Sequence, residues 1–357
     1  MRMTIMKSEK NSKNKVLLGL SGGVDSTTAA LLLKEKGFEV TGYYFDVTGN
    51  NIKGREEARK LASQLGIELI CEDVSREFEE LVIDDFCREY MSGRTPNPCV
   101  ICNPGIKFKK LADRADELGA RYIATGHYCR IDFDAEQNKY YIKKAANEKK
   151  DQSYMLYRLG QDVLSRLIFP LGDFEDKSHI RELARGKNMS NAEKKDSQEI
   201  CFIEPPFSHA GYIISKGFSS PYGNFVDMKG KVLGQHRGIV NYTVGQRKGL
   251  GIALGKPAFI VKIDKKKNDI ILGDNEDLFT KKVLCKNAVF AAENGDDYHN
   301  AEVLAKVRYS AKAAKAVLKV DGDRVTALFD EPQRAPAPGQ SMVFYDKDRV
   351  VGGGFIE

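Results

Sequence analysis

The sequence predicts an α/β protein: a doubly wound parallel sheet over residues 1–205, then a small basic β domain over 206–275 and a C-terminal β-barrel over 276–357. Three observations predict this. Through the first half, short apolar strands alternate with helical stripes, the texture of repeated βα units. Between the first strand and the first helix lies the glycine-rich turn Gly19-Leu20-Ser21-Gly22-Gly23-Val24-Asp25-Ser26. After Pro205 the pattern changes to short alternating apolar stretches separated by Gly, Asp and Asn.

Residues 15–20 and 39–45 read as strands around a helix over 26–36 that stops at Gly37. Ala58, Leu61 and Leu65 form a helical stripe over 55–65, closed by Gly66, and 67–71 is a third strand. Ser75 is expected to cap a helix with Phe78, Leu81, Val82 and Phe86 on one face. A helix over 106–118 stops at Gly119 and delivers a strand over 122–125. Ligands of such sheets bind at the carboxyl ends of the strands, which gathers Ser26, Phe45 and Gly126 on one edge. Residues 232–233, 258–263 and 269–272 are the strands expected of the small domain. Residues 303–309, 316–320, 324–329, 341–345 and 350–356 are those of the barrel, with Asp321-Gly322 as a hairpin turn.

Composition narrows the function classes. No apolar run approaches the roughly 20 residues of a membrane span, and residues 1–14 lack the apolar core of a secretory signal. Seven cysteines in a chain of 357 residues then point to a reducing cytoplasm, where any disulfide is catalytic and transient. The net charge of +6 is concentrated: residues 206–274 hold eleven Lys or Arg against four Asp and no Glu. That suits a polyanion such as RNA, although the run Lys265-Lys266-Lys267 reads equally well as a solvated hairpin turn.

The glycine-rich turn offers backbone N–H groups at a helix N-terminus and the hydroxyls of Ser21 and Ser26, all suited to a polyphosphate. It is neither a Walker loop nor a dinucleotide fingerprint, since Gly-Lys-Ser/Thr and Gly-x-Gly-x-x-Gly are both absent from it. It resembles instead the PP-loop of the ATP pyrophosphatases, which cut ATP between its α and β phosphates and adenylate an acceptor. That resemblance places Asp25 near Mg²⁺ and pyrophosphate.

Thiols occur in two further neighbourhoods, Gly93-Arg94-Thr95-Pro96-Asn97-Pro98-Cys99-Val100-Ile101-Cys102-Asn103 and Asp196-Ser197-Gln198-Glu199-Ile200-Cys201-Phe202. Thiols beside an adenylating loop suggest sulfur transfer, in which a persulfide sulfur displaces an adenylate. A thiol of pKa about 8.5 needs nearby positive charge to ionise at neutral pH, and Arg94, Lys107, Lys194 and Lys195 are candidates. Cys71, Cys87, Cys129 and Cys285 lie in strand or helix patterns and read as buried small hydrophobes. His179, His209, His236 and His299 show no metal-ligand spacing, and no metal ligands are assigned. Tyr140, Tyr141, Phe344 and Tyr345 read as core, whereas Tyr309 beside Arg308 is a candidate base-stacking residue.

Seven motifs occur in order: the glycine-rich turn; Gly93 to Asn103; Ala124-Thr125-Gly126-His127-Tyr128; Lys150-Asp151-Gln152-Ser153-Tyr154; Asp196 to Phe202; Tyr242-Thr243-Val244-Gly245-Gln246-Arg247-Lys248-Gly249-Leu250-Gly251; and Glu331-Pro332-Gln333-Arg334 with Ala337-Pro338-Gly339-Gln340. From about residue 15 to the C-terminus they resemble the bacterial tRNA-specific 2-thiouridylase family. The resemblance implies ATP- and Mg²⁺-dependent 2-thiolation of the wobble uridine of tRNAs for Lys, Glu and Gln. It implies ATP contacts from Gly19, Leu20, Ser21, Gly22, Gly23, Val24, Asp25, Ser26, Phe45 and Gly126. Cys201 would carry a persulfide loaded by a sulfur-relay donor protein. Cys102 would be the second catalytic thiol, either attacking that persulfide or closing a disulfide with Cys201. Asn97, Pro98 and Cys99 would face the target base, and His127, Lys150, Asp151, Gln152, Arg308, Tyr309 and Gln340 would contact the tRNA anticodon arm.

Two departures qualify the resemblance. Cys99 stands where the best-known members of the family have an aspartic acid to which proton transfer at the base is ascribed, so the thiol replaces the acid or the assistance is dispensable. Cys99-x-x-Cys102 together with Cys201 would also supply three corners of an iron–sulfur cluster. Residues 46–54 are shorter than the insertion that many members of the family have there. Two rivals remain open: a PP-loop synthetase acting on a small molecule, and an RNA-binding protein that holds ATP without using it.

Overall fold

A computed structural model describes residues 14–194 and 200–357. The chain divides into two compact units. The first takes in residues up to 81, residues 99–198 and residues 348–350; the second takes in 82–98, 199–347 and 351–357.

In the first unit, β1 (Lys15–Gly19), α1 (Val24–Glu35), β2 (Glu39–Asp46), α2 (Ile52–Leu65) and β3 (Glu68–Asp73) follow the expected order within a few residues. With β4 (Tyr122–Ala124) and β7 (Leu167–Ile168) they give a parallel sheet of order β3-β2-β1-β4-β7. Val16, Leu17 and Leu18 are all buried, because a central parallel strand is covered on both faces and therefore reads as an unbroken apolar run. Asn51 caps α2 by accepting the Gly54 N–H at 2.8 Å, and Gly66 ends it in the left-handed region at φ 62°. The hairpin β5 (Cys129–Asp134) and β6 (Lys139–Lys144) was not foreseen. Arg349 pairs with Lys143 beside it and donates to Asp132 and to Asp134, the latter at 2.9 Å.

Two helix expectations are corrected. Ser75 is the first helical residue of α3 (Ser75–Phe78), not a cap; its own N–H is accepted by Asp73 Oδ1 at 2.9 Å. The helix then widens into a π turn, Glu79–Ile83, before α4 (Asp84–Met91). The extra residue turns Leu81 away from the buried face of Phe78, Val82 and Phe86 and leaves it 41% exposed. The helix expected from residue 106 begins earlier, as α5 (Pro98–Cys102), a π turn (Asn103–Phe108) and α6 (Lys109–Glu117). Pro104 lacks the N–H that a regular turn needs, so the ladder widens there instead of ending.

The second unit holds a four-stranded sheet, order β10-β11-β8-β9, made of β8 (Gly223–Asp227), β9 (Val232–His236), β10 (Phe259–Asp264) and β11 (Asp269–Gly273). Phe225, Tyr242, Ile260, Ile270 and Leu272 form its core. Beyond it, β12 (Phe279–Phe290), β13 (Glu302–Lys306), β14 (Ala314–Asp321), β15 (Arg324–Arg334), β16 (Ser341–Asp346) and β17 (Arg349–Ile356) run in the order β12-β15-β14-β13-β16-β17. Pairing of β12 with β17 closes the barrel around Val283, Ala305, Leu318, Ala327, Met342 and Phe344. The β14–β15 turn is centred on Gly322-Asp323, because Asp321 pairs with Arg324. Among the described residues no helix is long and apolar enough to cross a membrane.

Candidate active site

The glycine-rich turn leaves β1 at its carboxyl end. The Leu20 N–H extends the pairing with β2 by donating to Tyr43 O at 2.8 Å, after which Gly22 takes φ 78° and α1 begins at Val24. Ser26 closes the loop: its Oγ accepts the Ser21 N–H at 3.2 Å, donates to Gly23 O at 3.0 Å and lies 3.3 Å from Ser21 Oγ. A Cβ built on Gly126 would stand 2.8 Å from Ser26 N, so only glycine lets the end of β4 approach the loop this closely. A Cβ on Gly19 would lie 3.5 Å from the Phe45 ring. Ser26, Phe45 and Gly126 are thus drawn to the edge where β1 and β4 diverge, the switch point at which such sheets bind ligands.

Three side chains around this loop were given no site role from the sequence. Tyr128 donates its hydroxyl to Asp25 Oδ1 at 2.7 Å, and Lys177 Nζ lies 2.9 Å from the same carboxylate and 5.6 Å above the Tyr128 ring. Lys177 opens α7 (Lys177–Gly186), one residue after the capping Asp176. Asn191 donates through Nδ2 to Gly22 O at 3.1 Å and to Thr27 Oγ1 at 2.9 Å, while its buried Oδ1 has no hydrogen-bond partner among the described residues. Tyr128 was visible as the end of the Ala124–Tyr128 motif. Lys177 and Asn191 reach the loop from more than 150 residues away, and no local pattern announces them. The set fits a nucleoside triphosphate: helix-end N–H groups, two hydroxyls and an ammonium converge on one turn. It also fits Mg²⁺, since a carboxylate with about four lone-pair sites can serve both Lys177 and a cation.

Beside the loop, His127 Nδ1 lies 2.8 Å from the Thr125 hydroxyl, and its ring is tilted against Phe108 at 5.8 Å between centroids. Burial first, and the Lys107 charge second, push its pKa down to about 3, so the imidazole is neutral at physiological pH.

Cys99 and Cys102 share the single turn of α5. Cys102 is buried and Cys99 half-buried, and the next residue, Asn103, donates to Met155 O at 3.2 Å. Cys201 is exposed, whereas its neighbour Phe202 is anchored edge-on to Phe86 at 5.3 Å. Two of the charges proposed for the thiols are already neutralised: Arg94 is paired with Glu89 and Lys194 with Glu57. Lys195 and residues 196–199 of the second thiol motif lie outside the described residues. Among the described residues no three His, Cys, Asp or Glu are grouped as metal ligands, and the iron–sulfur reading of Cys99, Cys102 and Cys201 has no support there. Cys87, Cys129 and Cys285 are buried as expected, and burial pushes Cys285 up to about 12. Cys71 is half-buried instead, on the outer strand β3.

Comparison with known proteins bears on the whole chain. A family model described as tRNA methyl transferase HUP domain matches residues 14–205, its PRC-barrel counterpart residues 212–274, and an aminomethyltransferase β-barrel domain residues 280–356. The tRNA-specific 2-thiouridylase MnmA 2 of Clostridium botulinum (strain Hall) is 47% identical over 355 residues, 97% of this chain and 99% of that protein. The chain belongs to the tRNA-specific 2-thiouridylase family. Its 2-thiouridylase relatives in Clostridium acetobutylicum and Clostridioides difficile are 46% and 43% identical, each over 96% of this chain, covering 99% and 98% of their own lengths.

The residues that the 2-thiouridylase resemblance assigned to RNA differ in what else they do. Both carboxylate oxygens of Asp151 are used inside the chain, by the Ala145 and Ser153 N–H groups and the Ser153 hydroxyl. Gln152 accepts the Tyr128 N–H at 2.9 Å, which fixes the residue that touches Asp25. Lys150 is half-buried. Arg308 donates to Ala335 O, and Tyr309 is 38% exposed with Lys306 over its ring. Gln340 donates to Thr95 O.

Proposed function

We propose that this chain is a transferase that processes tRNA, placing sulfur on C2 of the wobble uridine in tRNAs for Lys, Glu and Gln at the expense of ATP. The observation that carries the reading is the phosphate loop closed by Ser26 and Gly126 at the β1/β4 switch point, in a chain aligned almost end to end with 2-thiouridylases. Uridine O2 is a poor leaving group in itself. Its attack on the α-phosphorus of ATP expels pyrophosphate and turns O2 into part of an AMP leaving group. The loop N–H groups and Lys177 stabilise the charge on the departing phosphates, and Mg²⁺ held at Asp25 would add to that neutralisation.

A sulfur-relay protein loads Cys201 with a sulfane sulfur; the exposure of Cys201 supports access by a macromolecular donor. The terminal persulfide sulfur attacks C2 and AMP departs. The Cys102 thiolate then attacks Cys201 Sγ, the S–S bond breaks, and its electron pair leaves on sulfur as the 2-thiouridine. The remaining Cys102–Cys201 disulfide takes two electrons from a cellular thiol before the next turnover. Asn97, Pro98 and Cys99 face the base, and Cys99 fills the place of a proton-transferring acid.

Nucleoside mass spectrometry after anaerobic incubation with ATP, Mg²⁺, a persulfide donor and unmodified tRNA tests this. We expect 2-thiouridine only when ATP is present, and none with Cys201→Ser, which should still bind ATP and tRNA. A fully active Cys201→Ser variant refutes the persulfide assignment. Pyrophosphate release stimulated by a small acceptor and not by tRNA would favour a small-molecule synthetase, and tight tRNA binding without pyrophosphate release a non-catalytic RNA-binding protein.

A further inference from the structure

The carboxylate of Asp25, expected beside Mg²⁺, is held unequally at its two oxygens. Lys177 Nζ lies 2.9 Å from Oδ1 and 2.9 Å from Oδ2, so the ammonium straddles both. Tyr128 breaks that symmetry by donating its hydroxyl to Oδ1 at 2.7 Å. The Asp25 side chain keeps 30% of its surface exposed against 12% for Lys177, so the carboxylate is the partner that stays open to a solvated cation. A carboxylate has about four lone-pair sites, which two donors do not exhaust.

Tyr128 is itself fixed at backbone and ring. Its N–H donates to Gln152 Oε1 at 2.9 Å and its carbonyl accepts the Gln152 N–H at 3.0 Å, a closed pair of bonds. The neighbouring Asp151 holds that segment in turn, accepting the Ala145 N–H at 3.1 Å and the Ser153 N–H at 3.2 Å. The Tyr128 ring is 3% exposed and belongs to the same core as Ala145, Leu171 and Ile180, with Lys177 Nζ 5.6 Å from its centroid. All of these residues lie in the first compact unit. The hydroxyl is thus a rigid donor, whereas a carboxylate turns readily about its last bond and, drawn by Lys177 alone, would offer both oxygens to the ammonium.

We propose that Tyr128 is a positioning residue for the ATP half of the reaction: its hydroxyl holds Asp25 Oδ1 and so keeps Oδ2 in the orientation from which it can pass from Lys177 to Mg²⁺. Outer donors that orient a metal-binding carboxylate commonly carry roughly 10- to 100-fold in metal affinity or activity. The proposal rests on the glycine-rich turn being the ATP and Mg²⁺ site, and it is independent of the sulfur chemistry.

The test compares wild type with Tyr128→Phe, which keeps the ring and the backbone bonds and removes only the donor, and with Asp25→Asn. Binding of a fluorescent, non-hydrolysable ATP analogue is measured without RNA or sulfur donor, first in EDTA and then with saturating Mg²⁺, and the quantity read is the gain in affinity that Mg²⁺ brings. In EDTA, Tyr128→Phe should bind the analogue within about twofold of wild type. Its gain with Mg²⁺ should be smaller by about 10-fold, and that of Asp25→Asn smaller by at least as much. In turnover the same loss should appear in the Mg²⁺ dependence of pyrophosphate release, with the tRNA KM within about twofold of wild type. A Tyr128→Phe variant with the wild-type gain and only a lower thermal midpoint would overturn the proposal and make Tyr128 a packing residue. A wild type that binds the analogue with no gain from Mg²⁺ would overturn it together with the placement of Mg²⁺ at Asp25.

Discussion

His127 is held neutral by its surroundings, and that has a measurable consequence. Its folded pKa of about 3 lies far below the value near 6.5 that an unfolded histidine takes. A histidine depressed in this way stabilises the fold fully above the unfolded value, and the contribution is lost as pH falls from about 6.5 toward 3. The slope for one proton is at most about 1.4 kcal/mol per pH unit. His127→Asn removes the titration, so its urea midpoint should change less between pH 7 and pH 5 than that of wild type. Parallel curves would mean that the imidazole takes up a proton inside the fold at no cost. At the same scale, Gly126 was legible because a motif flagged it, and its reason is now visible in the space that Ser26 N denies to any side chain. Asn191 was not legible, since an isolated asparagine after a helix says nothing about a carbonyl 169 residues away.

Among the elements, the turn from β2 into α2 is organised around one buried carboxylate. Asp46 Oδ1 accepts the Thr48 and Gly49 N–H groups, and Oδ2 accepts Arg55 Nε at 2.7 Å. Burial alone would raise the Asp46 pKa, but the Thr48 N–H, Arg55 and the Gly49 N–H outweigh it and hold the carboxyl below its usual value. Arg55→Leu leaves that charge without its cationic partner and should lower the unfolding free energy at pH 7 by about 3 kcal/mol in urea titrations. A loss below roughly 0.5 kcal/mol would show that the backbone donors suffice. Regular elements were readable because burial marks them simply, β1 as an unbroken apolar run and α2 as one buried stripe of helical period. The helix from Pro98 to Glu117 was misjudged at its start because Pro104-Gly105 looks like a breaker, whereas a π turn absorbs both residues inside the helix. The strand β12 was missed because its apolar residues, Phe279, Val283 to Cys285 and Ala288 to Phe290, do not alternate along the strand, and only Val283 and Cys285 are buried.

Over the whole molecule, the order of domains could be read because the texture of the sequence changes from βα units to alternating strands near Pro205, and the family matches follow the same order. Charge was also readable as a total, but its use depends on placement. Residues 206–274 carry the positive excess, and three of those charges, Lys265, Lys266 and Lys267, are exposed at the turn between β10 and β11. The turn does not need them: Asp264 Oδ1 accepts the Lys266 and Lys267 N–H groups, and Asn268 takes the left-handed conformation that closes it. Replacing all three by Gln should therefore leave the fold and the thermal midpoint unchanged. If the segment meets RNA, each lost phosphate contact lowers the steepness of log K against log salt by roughly 0.7 to 0.9. The triple variant should then bind tRNA more weakly at low salt, with a slope shallower by about one to three. Filter binding from low to moderate potassium chloride measures it. An unchanged slope would make these lysines a solvated turn and move the RNA-facing charge elsewhere in the segment, to side chains such as Arg237, Arg247 and Lys248.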